Sequence, residues 1–564
     1  MFYYLIPRCE LTGTFTIDGT RRAVASGSGW YDHEFGGYRK PDDESIPMEY
    51  AWDWAAVQLD NGWDISVASL VDPRSPDLKV MELRAIVVDP KGVRHTPKDL
   101  HFQRENLWTS VRTFNEYPTQ YRVVMPSMGI DLQLTSPFPD QECVTLIAKP
   151  GFWEGRMDVA GTFDGKPTTG LGFVECNGFT PLSDLSGFFK RVGAATRQAV
   201  REVYPDNPTA EQGMMLLASP STRHFMDDVD MSVIEEGIIK PVRHITDVGG
   251  KSWRSYGALA CMEVVGGDCR DYRQWLSMPE FMHVGSLIID DIQDESQLRR
   301  GVECVHLKYG NEVAINSGTA AYFMSQQMLQ SEKLSDATMR RVYDYFFGAL
   351  RGGHGGQALD IHGLGYIMDE CIETGDAELP EKRLLAVHRL KTAVPAGCLA
   401  RMGALAGGGS EEQIEAVGRY FEAVGVAFQI MDDVLNLEGL STTEADKTKG
   451  MTLKVVGEDI YDGKATFPVV KAIKALDKPA MQALWTEIKR IGAVPGGKDK
   501  IESEAAAVKA VIDTLTKVNA IEDSRRQAED MVEVAWAELD HVVPDSFAKI
   551  MLRSFGAFVT DRRN

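Results

Sequence analysis

The hydrophobic pattern of the chain changes its period near residue 182, and this change limits the folds that the chain can adopt. Up to that point apolar and polar residues alternate in short runs, such as WDISVASLV (63–71) and IDLQLTS (130–136). Turn sequences such as DNG (60–62) and FDGKP (163–167) separate the runs. Alternation with a period of two is typical of strands that bury one face. Residues 1–182 are therefore predicted to form an all-β barrel or sandwich.

Beyond the turn-rich stretch YPDNPTAEQG (204–213), apolar residues recur at three- and four-residue spacing. The segments RRVYDYFFGAL (340–350) and IEAVGRYFEAVGVAFQIMDDVLN (414–436) show this period, which indicates amphipathic helices. Because 564 residues exceed the size of one ordinary domain, a multidomain chain is expected. We predict a β domain at 1–182, a linker with the first helices at 183–235, and an all-α domain at 236–564.

The charge balance excludes one class of partner. Lysine and arginine number 60 against 82 aspartate and glutamate residues, which gives a net charge of −22. Such an excess of negative charge argues against a nucleic-acid-binding surface. The eight cysteines include no CxxC pair. The chain shows neither a basic leader nor an uncharged apolar run of about 18 residues, so we expect a soluble, cytoplasmic protein without stable membrane insertion.

Two groups of acidic residues stand out in the helical half. In DDIQDESQLRRG (290–301), Asp290 and Asp294 are four residues apart, so they lie on one face of a helix. A second group, DDVLN (432–436), places Asp432 and Asn436 at the same spacing. Carboxylates on one helix face suit Mg²⁺, which prefers hard oxygen ligands and keeps positions for substrate oxygens. A diphosphate fits such a cluster, and the alternative is a solvated acidic face in an acidic chain.

Basic residues follow the same part of the chain in a fixed order. GGKSWR, KTA, KTKG and DGKATFP each carry lysine, and RRG follows the first acidic group directly. Arginine matches the geometry of phosphate oxygens, and lysine supplies a compact charge. An enzyme that ionises an allylic diphosphate needs both, together with apolar walls that shelter the carbocation. Each motif is weak alone, whereas their order indicates one site that handles diphosphates.

The helical half resembles the trans-prenyl diphosphate synthases, and among them the fungal-type geranylgeranyl diphosphate synthases. The resemblance covers about residues 240–564 and rests on LIIDDIQDESQLRRG, INSGTAAYF, HGGQALDI, FQIMDDVLNL and EDIYDGKATFPV. It implies an all-α prenyl synthase fold that forms homodimers through this domain. It also implies Mg²⁺ as the cofactor, with isopentenyl diphosphate and an allylic prenyl diphosphate as substrates.

The resemblance assigns roles to individual residues. The metal ligands would be Asp290, Asp294 and Asp432, with Asp291 and Asp433 supporting them, and these aspartates with Lys391 would form the catalytic set. The residues that would hold isopentenyl diphosphate are Lys251, Arg254, His283 and Arg300. Those that would hold the allylic diphosphate are Arg299, Lys391, Thr392, Lys449 and Lys464, with Gln429 beside them. The sequence departs from the family pattern at GQALDIHG, where His362 and Gly363 replace an aromatic end.

Three functions remain open for this half. The first is condensation of isopentenyl diphosphate with an allylic diphosphate, with geranylgeranyl diphosphate as the expected product. The second is a class I terpene cyclase on the prenyl synthase scaffold, and the third is a non-catalytic isoprenoid-binding subunit. The complete second-substrate set favours the first, because a cyclase that uses one diphosphate has no need of it. The two intact acidic groups favour an enzyme over a subunit.

The product length depends on the floor of an apolar pocket below the aspartates. Residues four and five positions before Asp290 lie about one helical turn deeper on the same face. These residues are Ser286 and Gly285, which are small and leave the pocket open. A C20 product is therefore expected, and Gly285→Phe is expected to shorten it. The alternative role of Gly285 is to permit close helix packing.

The β half resembles the lipocalin-like family of carotenoid 1,2-hydratases and related proteins, which includes cyclases. GWYDHEFGGY, AWDWAAVQLDNG, GFWEGRMDVAG and GLGFVECNGF carry the resemblance, which covers the second of the family's two barrels and a closing hairpin of the first. A barrel interior can hold one small apolar ligand. The candidate polar groups are Asp32, His33, Glu34, Asp53, Glu154 and Glu175. A neutral carboxylic acid there could protonate an alkene, which predicts an isoprenoid-binding or cyclising barrel, and the alternative is that these acids are structural.

Overall fold

The computed structural model describes residues 2–35, 50–75, 77–145, 151–179, 185–250, 252–439, 455–495 and 498–561. The chain divides into two compact units, residues 1–184 and residues 185–564. The first is built from β-strands and the second from α-helices, so the predicted multidomain fold class is confirmed. Among the described residues, no helix is both long enough and apolar enough to span a membrane.

The β unit consists of antiparallel strands joined by short turns. Asp18 and Gly19 form one two-residue turn, and Asp164 and Gly165 form another, with φ of 49° and 72° in each pair. Aspartate followed by glycine tolerates these positive φ values, which match the twist of a hairpin. The strands are β1 (Phe2–Glu10), β2 (Thr14–Ile17), β3 (Thr20–Ala23), β4 (Ser28–Phe35), β5 (Ala51–Leu59), β6 (Asp64–Val71), β7 (Val80–Val88), β8 (Arg94–His95), β9 (His101–Thr109), β10 (Glu116–Met125), β11 (Ile130–Thr135), β12 (Glu142–Val144), β13 (Gly151–Phe163) and β14 (Lys166–Asn177).

The main sheet runs in the order β8-β7-β6-β5-β14-β13-β11-β10-β9, and the short strand β12 pairs with β13. The sheet curls, because side chains of distant strands meet inside it. The Tyr121 hydroxyl of β10 donates to Asp53 of β5 at 2.9 Å, and Arg104 of β9 donates to the same carboxylate at 2.6 Å. Strands β8 and β9 end this order and are not paired with each other among the described residues. The sheet is therefore a partly open barrel.

Side chains fill the concave face of this sheet. Trp153, Tyr121, Met157 and Leu132 are all fully buried there, and they belong to one continuous core. The ligand-holding interior expected from the sequence is thus occupied by packed side chains in the described residues. Burial of such large apolar groups is the main source of stability for the unit.

The convex face is covered in part by β1 and β4, which pair with each other. Arg8 of β1 donates to Asp64 of β6 at 3.1 Å. The indole rings of Trp30 and Trp54 meet edge to face, with centroids 5.9 Å apart. These contacts fix β1 and β4 against the outer surface of β5 and β6.

The second unit is an assembly of helices. They are α1 (Leu185–Val203), α2 (Ala210–Leu217), α3 (Met231–Ile234), α4 (Lys240–Thr246), α5 (Trp253–Val264), α6 (Ser277–Gln293), α7 (Val305–Tyr309), α8 (Asn311–Met324), α9 (Asp336–His362), α10 (Gly365–Thr374), α11 (Leu379–His388), α12 (Val394–Ala406), α13 (Glu411–Glu438), α14 (Glu458–Tyr461), α15 (Phe467–Ala475), α16 (Lys478–Gly492), α17 (Lys498–Lys517), α18 (Ala520–Asp540) and α19 (Phe547–Thr560). A two-residue ladder, β15 (Leu298–Arg299) with β16 (Val302–Glu303), follows α6.

Helix α13 lies at the centre of this unit, packed against α12 and α18. It begins with a capping box, because Ser410 accepts a hydrogen bond from the Gln413 N–H at 3.2 Å and Gln413 accepts one from the Ser410 N–H at 2.9 Å. Its buried side includes Tyr420 and Phe421. The apolar residues predicted from the sequence to form one helix face are buried in α13. The acidic group at 432–436 therefore lies near the end of a central helix.

The stretch 183–235, predicted as a linker with the first helices, contributes α1 to the core of the helical unit. The ring of Phe189 lies 5.4 Å from that of Phe555 in α19, and Phe188 lies 5.0 Å from Tyr256 in α5. These aromatic contacts fix α1 against α5 and α19. Helix α1 therefore belongs to the packed core of the helical unit.

Candidate active site

The first acidic group lies at the end of α6. Asp290 and Asp291 occupy its last turn, and Asp294 is the first residue after it. Arg299 donates from Nε to Asp291 Oδ1 at 2.8 Å and lies 3.8 Å from Asp290. Gln357 of α9 donates to Asp290 at 2.6 Å. Burial raises the pKa of Asp294, and repulsion from Asp290 raises it further.

The second acidic group lies on α13. Oδ2 of Asp433 accepts a hydrogen bond from the backbone N–H of Phe467 at 2.8 Å. Burial, and then the nearby Asp459, hold the pKa of Asp433 well above its usual value. Asp432 is half-buried beside it. The two carboxylates of this pair therefore differ, because Asp433 is fixed by the backbone at the start of α15.

Two lysines face these aspartates. Nζ of Lys391 lies 2.5 Å from Asp360 and 3.6 Å from Asp290. Burial alone would lower the pKa of Lys391, but Asp360 and Asp290 raise it overall, so the amine is charged at neutral pH. Nζ of Lys464 lies 3.6 Å from Asp462. Burial alone would lower the pKa of Lys464, but Asp459 and Asp462 raise it overall.

A polar chamber of about 380 Å³ opens between these groups. Carboxylates and lysines share its wall, so it suits an anion that binds together with a cation. Its polar lining consists of Asp294, Asp360, His388, Lys391, Gln429, Asp433, Asp459, Asp462, Lys464 and Thr466. Of the residues assigned from the sequence, the chamber is lined by Asp294, Lys391, Gln429, Asp433 and Lys464, whereas Asp290 and Asp432 are not among its described lining residues.

An apolar cavity of about 180 Å³ shares Lys391 with the chamber. Thr392 and Gln357 line it as polar residues. The apolar walls come from α6, α8, α9 and α12 and include Met282, Ile289, Tyr322, Ala349, Leu350, Pro395, Leu399 and Met402. A cavity with a charged mouth and apolar walls suits an amphiphile with an anionic head.

Ser286 lines this cavity, whereas Gly285 is not among the described residues that line it. Gly285 faces α8, where a Cβ would lie 2.6 Å from the carbonyl oxygen of Gly318 and 3.1 Å from the side chain of Ala321. The expectation that Gly285 borders the pocket is therefore revised. The missing side chain allows α6 and α8 to approach closely, and Ser286 is the small residue at the cavity wall.

A second group of cations lies at the start of α5 and along α6. The guanidinium of Arg254 stacks on the ring of Trp253, 4.3 Å from its centroid, and burial lowers the pKa of Arg254 to about 10. His283 lines the apolar cavity together with Arg254. Burial, and then Arg254 and Arg300, hold the pKa of His283 well below its usual value, so the imidazole is neutral. Arg300 donates to Glu280 at 3.0 Å.

Two of the residues assigned from the sequence, Lys251 and Lys449, lie outside the described residues. Four residues of the site were not assigned. Gln357 and Asp360 belong to the segment HGGQALDI, so that motif itself could have identified them. Tyr322 and His354 line the cavity from α8 and α9, with ring centroids 5.6 Å apart. They belong to the motifs INSGTAAYF and HGGQALDI, but neither motif shows that the two rings meet, because their contact depends on how two helices cross.

In the β unit, Asp53 is the one of the six candidate residues whose side chain lies in the interior. Tyr121 donates to Oδ1 and Arg104 to Oδ2, so both oxygens are bonded within the core. Burial raises the pKa of Asp53, and Arg104 offsets part of this effect. Asp53 therefore matches the structural alternative raised from the sequence.

The interior holds another buried acid that the sequence analysis missed. Glu142 accepts hydrogen bonds from Ser110 at 2.6 Å, from Tyr117 at 2.8 Å and from Thr113. Burial raises the pKa of Glu142, and these hydrogen bonds lower it in part. The residue stands on the short strand β12, which carries no alternating pattern from which burial could be inferred.

Other candidate acids lie on the convex face. Glu154 and Glu175 pair across β13 and β14, and their neighbours along these strands, Trp153 and Cys176, point into the core. Trp52 donates to Glu175 at 2.8 Å. Burial raises the pKa of Glu175, with smaller contributions from Glu154 and then from Asp32 and Glu34 of β4. Four of the six candidates thus gather outside the barrel.

His33 lies apart from these acids. Along β4 its side chain alternates with those of Asp32 and Glu34, so it points to the opposite face. The hydroxyl groups of Tyr4 and Tyr31 lie 3.4 Å and 3.1 Å from its Nδ1. The six residues proposed from the sequence therefore occupy three separate places.

Comparison with known proteins gives the family. Residues 235–500 match the family model described as Polyprenyl synthetase. A short chain isoprenyl diphosphate synthase of Methanothermobacter thermautotrophicus is 27% identical over 343 residues, which cover 59% of this chain and 92% of that protein. The mitochondrial geranylgeranyl pyrophosphate synthase 6 of Arabidopsis thaliana is 34% identical over 241 residues, which cover 42% of this chain and 68% of that protein.

The chain belongs to the polyprenyl synthetase family.

A solved structure extends this assignment to the fold. The geranylgeranyl pyrophosphate synthase of Corynebacterium glutamicum, in complex with isoprenyl diphosphate and magnesium, superposes with a TM-score of 0.50 at 25% identity. The match covers 67% of this chain and 100% of that chain. The predicted resemblance to the prenyl diphosphate synthases and the predicted enzyme class, a prenyltransferase of isoprenoid biosynthesis, are confirmed. Residues 1–179 match the family model described as AttH-like, which confirms the second resemblance.

The residues of the site fit the divalent cations used in the polyprenyl synthetase family. Asp290 and Asp294 repel each other enough to help raise the pKa of Asp294, and a cation between them would remove this repulsion. Among the described residues, no three histidine, cysteine, aspartate or glutamate side chains already surround one point. Mg²⁺ accepts this arrangement, because it uses few carboxylates and completes its shell with water and substrate phosphates.

Proposed function

We propose that the helical unit is a Mg²⁺-dependent synthase that condenses isopentenyl diphosphate with an allylic diphosphate, with geranylgeranyl diphosphate as the product. The observation that carries this proposal is that one apolar cavity is lined by a cation from each of two groups, Lys391 and Arg254. Lys391 and Lys464 face the aspartates, whereas Arg254, Arg300 and His283 form a separate group. Two groups suit two diphosphates, and a cyclase that uses one diphosphate has no need of the second group.

In this proposal the aspartate chamber holds the allylic diphosphate. Asp290, Asp294 and Asp432 would bind Mg²⁺, which supplies Lewis-acid stabilisation of the leaving diphosphate. Asp291 and Asp433 would orient them. The residues placed around the allylic diphosphate are Arg299, Lys391, Thr392, Gln429, Lys449 and Lys464. Their charges would neutralise the negative charge that grows as the carbon–oxygen bond breaks.

The second cation group would hold isopentenyl diphosphate. Lys251, Arg254 and Arg300 would bind its diphosphate, and the neutral His283 would donate a hydrogen bond. The alkene then attacks the allylic cation, a carbon–carbon bond forms, and the released diphosphate accepts the proton that is lost. The apolar cavity would keep water away from the cation, because water would capture it as an alcohol.

Substrate-specific kinetics test this assignment. We expect His283→Ala and Arg254→Gln to raise the KM for isopentenyl diphosphate on the order of tenfold or more, because each removes a hydrogen bond to a charged group. Lys391→Gln should instead weaken use of the allylic diphosphate. Equal effects of His283→Ala and Lys391→Gln on both substrates would contradict the division into two sites.

We also propose that the helical unit forms a homodimer through α8 and α9. Ile315 and Phe323 lie eight residues apart on one face of α8, and their side chains are 49% and 66% exposed. His354 of α9 is exposed although it lines the apolar cavity, so the cavity reaches the surface there. A second copy would cover these residues. Light scattering should give twice the chain mass, and Phe323→Glu should reduce it to the chain mass.

For the β unit we propose an isoprenoid-binding or cyclising role on its convex face. Glu175 is favoured as a proton donor, because burial raises its pKa and it lies beside the indole of Trp52. Binding of a fluorescent prenyl analogue to the intact protein would test this role, and Glu175→Gln should keep binding while it removes any cyclisation. Equal binding to Trp52→Ala and to the unchanged protein would contradict it.

A further inference from the structure

The loop that precedes α5 contains two adjacent glycines, and a guanidinium group contacts each of them. A Cβ on Gly249 would lie 2.5 Å from Nη1 of Arg197, and a Cβ on Gly250 would lie 2.7 Å from Nη2 of Arg300. Gly249 also has a φ of +87°, which favours glycine. Neither position has room for a side chain while the two arginines keep these places. The loop backbone that leads to Arg254 is therefore bordered by cations.

The arginines around this loop differ in their partners. Arg201 lies 3.0 Å from Asp247, Arg243 lies 2.8 Å from Asp247, and Arg300 lies 3.0 Å from Glu280. Among the described residues, Arg197 and Arg254 form no ion pair with a carboxylate within 4.0 Å. In a chain with 82 acidic residues, two unpaired arginines at one loop indicate a site for an external anion.

Arg197 comes from a part of the chain that the motifs do not reach. It lies on α1, before the start of the Polyprenyl synthetase match at residue 235. The packing of Phe188 and Phe189 against α5 and α19 holds α1 in place, and Arg197 projects from this helix onto the loop. The position of its guanidinium therefore follows from the packing of α1. Arg197 does not belong to the motif GGKSWR.

We infer that Arg197 is a further ligand for the diphosphate of isopentenyl diphosphate, acting with Arg254 and Arg300. This inference rests on the proposed function, which places that diphosphate at the second cation group. A guanidinium offers paired N–H donors that match phosphate oxygens, so Arg197 binds the outer side of the diphosphate while Arg254 binds from the cavity.

Kinetics of Arg197→Gln test the inference, with Arg201→Gln as the matched control. Arg201 lies one turn further along α1 and is paired with Asp247, so it is already occupied by an internal carboxylate. Arg197→Gln should raise the KM for isopentenyl diphosphate on the order of tenfold, since a hydrogen bond to a charged group is lost. The KM for the allylic diphosphate and kcat should stay unchanged. Arg197→Lys should restore part of the affinity, because the charge remains.

Calorimetric titration of the intact protein with isopentenyl diphosphate should show the same loss of affinity in Arg197→Gln and none in Arg201→Gln. An unchanged KM for isopentenyl diphosphate in Arg197→Gln, or a fall in kcat with a lower Tm instead, would overturn the inference and leave the proposed function intact. If the unchanged protein ionises an allylic diphosphate but never incorporates isopentenyl diphosphate, the proposed function fails, and the role of Arg197 fails with it.

Discussion

Carboxylates in the two units have different surroundings. In the β unit, Tyr121 and Arg104 bond both oxygens of Asp53 inside a packed core. In the helical unit, Asp294 faces a chamber of about 380 Å³, and repulsion from Asp290 helps to raise its pKa. An acid whose partners are all internal stabilises a fold, whereas acids that repel each other beside open space are placed for a ligand.

The convex face of the barrel is intermediate between these cases. Trp52 bonds Glu175, but Glu154 and Asp32 add negative charge beside it. Acidic residues of this chain thus have three kinds of surroundings. Burial alone does not distinguish these three cases, whereas the presence of internal hydrogen-bond donors does.

The largest effect should come from the aspartates that are proposed to bind the metal. Asp290→Asn and Asp432→Asn should each lower kcat about 10³-fold, because metal stabilisation of the leaving group is worth several kcal/mol. The Tm should not fall, since these changes remove repulsion and not packing. Asp344→Asn, at an exposed position of α9, is the control. Turnover that continues in excess chelator would remove the metal from the mechanism.

The next effect should appear in the β unit. Asp53→Leu leaves the Arg104 guanidinium without its internal partner, so the free energy of unfolding of this unit should fall by about 3 kcal/mol. Hydrogen exchange of peptides from β5 and β10 would measure the loss. Prenyl transfer should be unchanged in the milder Asp53→Asn. Loss of prenyl transfer in folded Asp53→Asn would show that the two units do not divide their roles as described.

One carboxylate in each unit, Glu142 and Glu381, should also respond to pH in opposite directions. Burial raises the pKa of Glu142 from 4.5, so its contribution to stability is complete below about pH 4.5 and is lost as pH rises through the folded-state pKa. For Glu381, Lys474, Gln527 and Lys471 outweigh burial and lower the pKa from 4.5. Its contribution is present above about pH 4.5 and is lost as pH falls through the folded-state pKa.

Hydrogen exchange between about pH 4.5 and pH 7, corrected for intrinsic rates, would compare the two responses. Peptides around Glu142 should lose protection as pH rises, and Glu142→Gln should flatten this trend. Peptides of α11 around Glu381 should keep their protection over this range and lose it only as pH falls below about 4.5. Parallel trends in both sets of peptides would contradict the difference between the units.

The smallest effect concerns product length. Ser286→Phe places a ring at the wall of the apolar cavity and should shift the product from C20 toward C15, with ionisation retained. Gly285→Ala is the control at the neighbouring position, because its Cβ would approach Gly318 and disturb the packing of α6 on α8. It should lower the Tm without shortening the product. An unchanged product from active Ser286→Phe would place the growing chain elsewhere.

The sequence revealed the local spacing of the acidic residues in the helical unit. The pairs at 290 and 294 and at 432 and 436 could each be assigned to one helix face, because a helix repeats every 3.6 residues. It failed for Gly285, since the side of α6 on which a residue lies relative to α8 depends on tertiary packing. It also missed Tyr322 and His354, whose motifs do not show that the two side chains meet, and Arg197, which lies on a helix that carries no motif.

For the β unit the sequence predicted the strands and the fold class but not the positions of the acids. Asp53, Glu154 and Glu175 all stand in alternating strands, so the pattern gives two faces without saying which one is concave. The curl of the sheet decides this, and it depends on contacts such as that between Asp53 and Tyr121. Glu142 was missed because β12 has three residues, too few to show a period.

The most direct test is to incubate the intact protein with Mg²⁺, farnesyl diphosphate and labelled isopentenyl diphosphate and to identify the products. The account predicts that label enters a C20 diphosphate and that release of inorganic diphosphate requires both substrates. Conversion of farnesyl or geranylgeranyl diphosphate alone to a cyclic hydrocarbon, with isopentenyl diphosphate left unused, would contradict it.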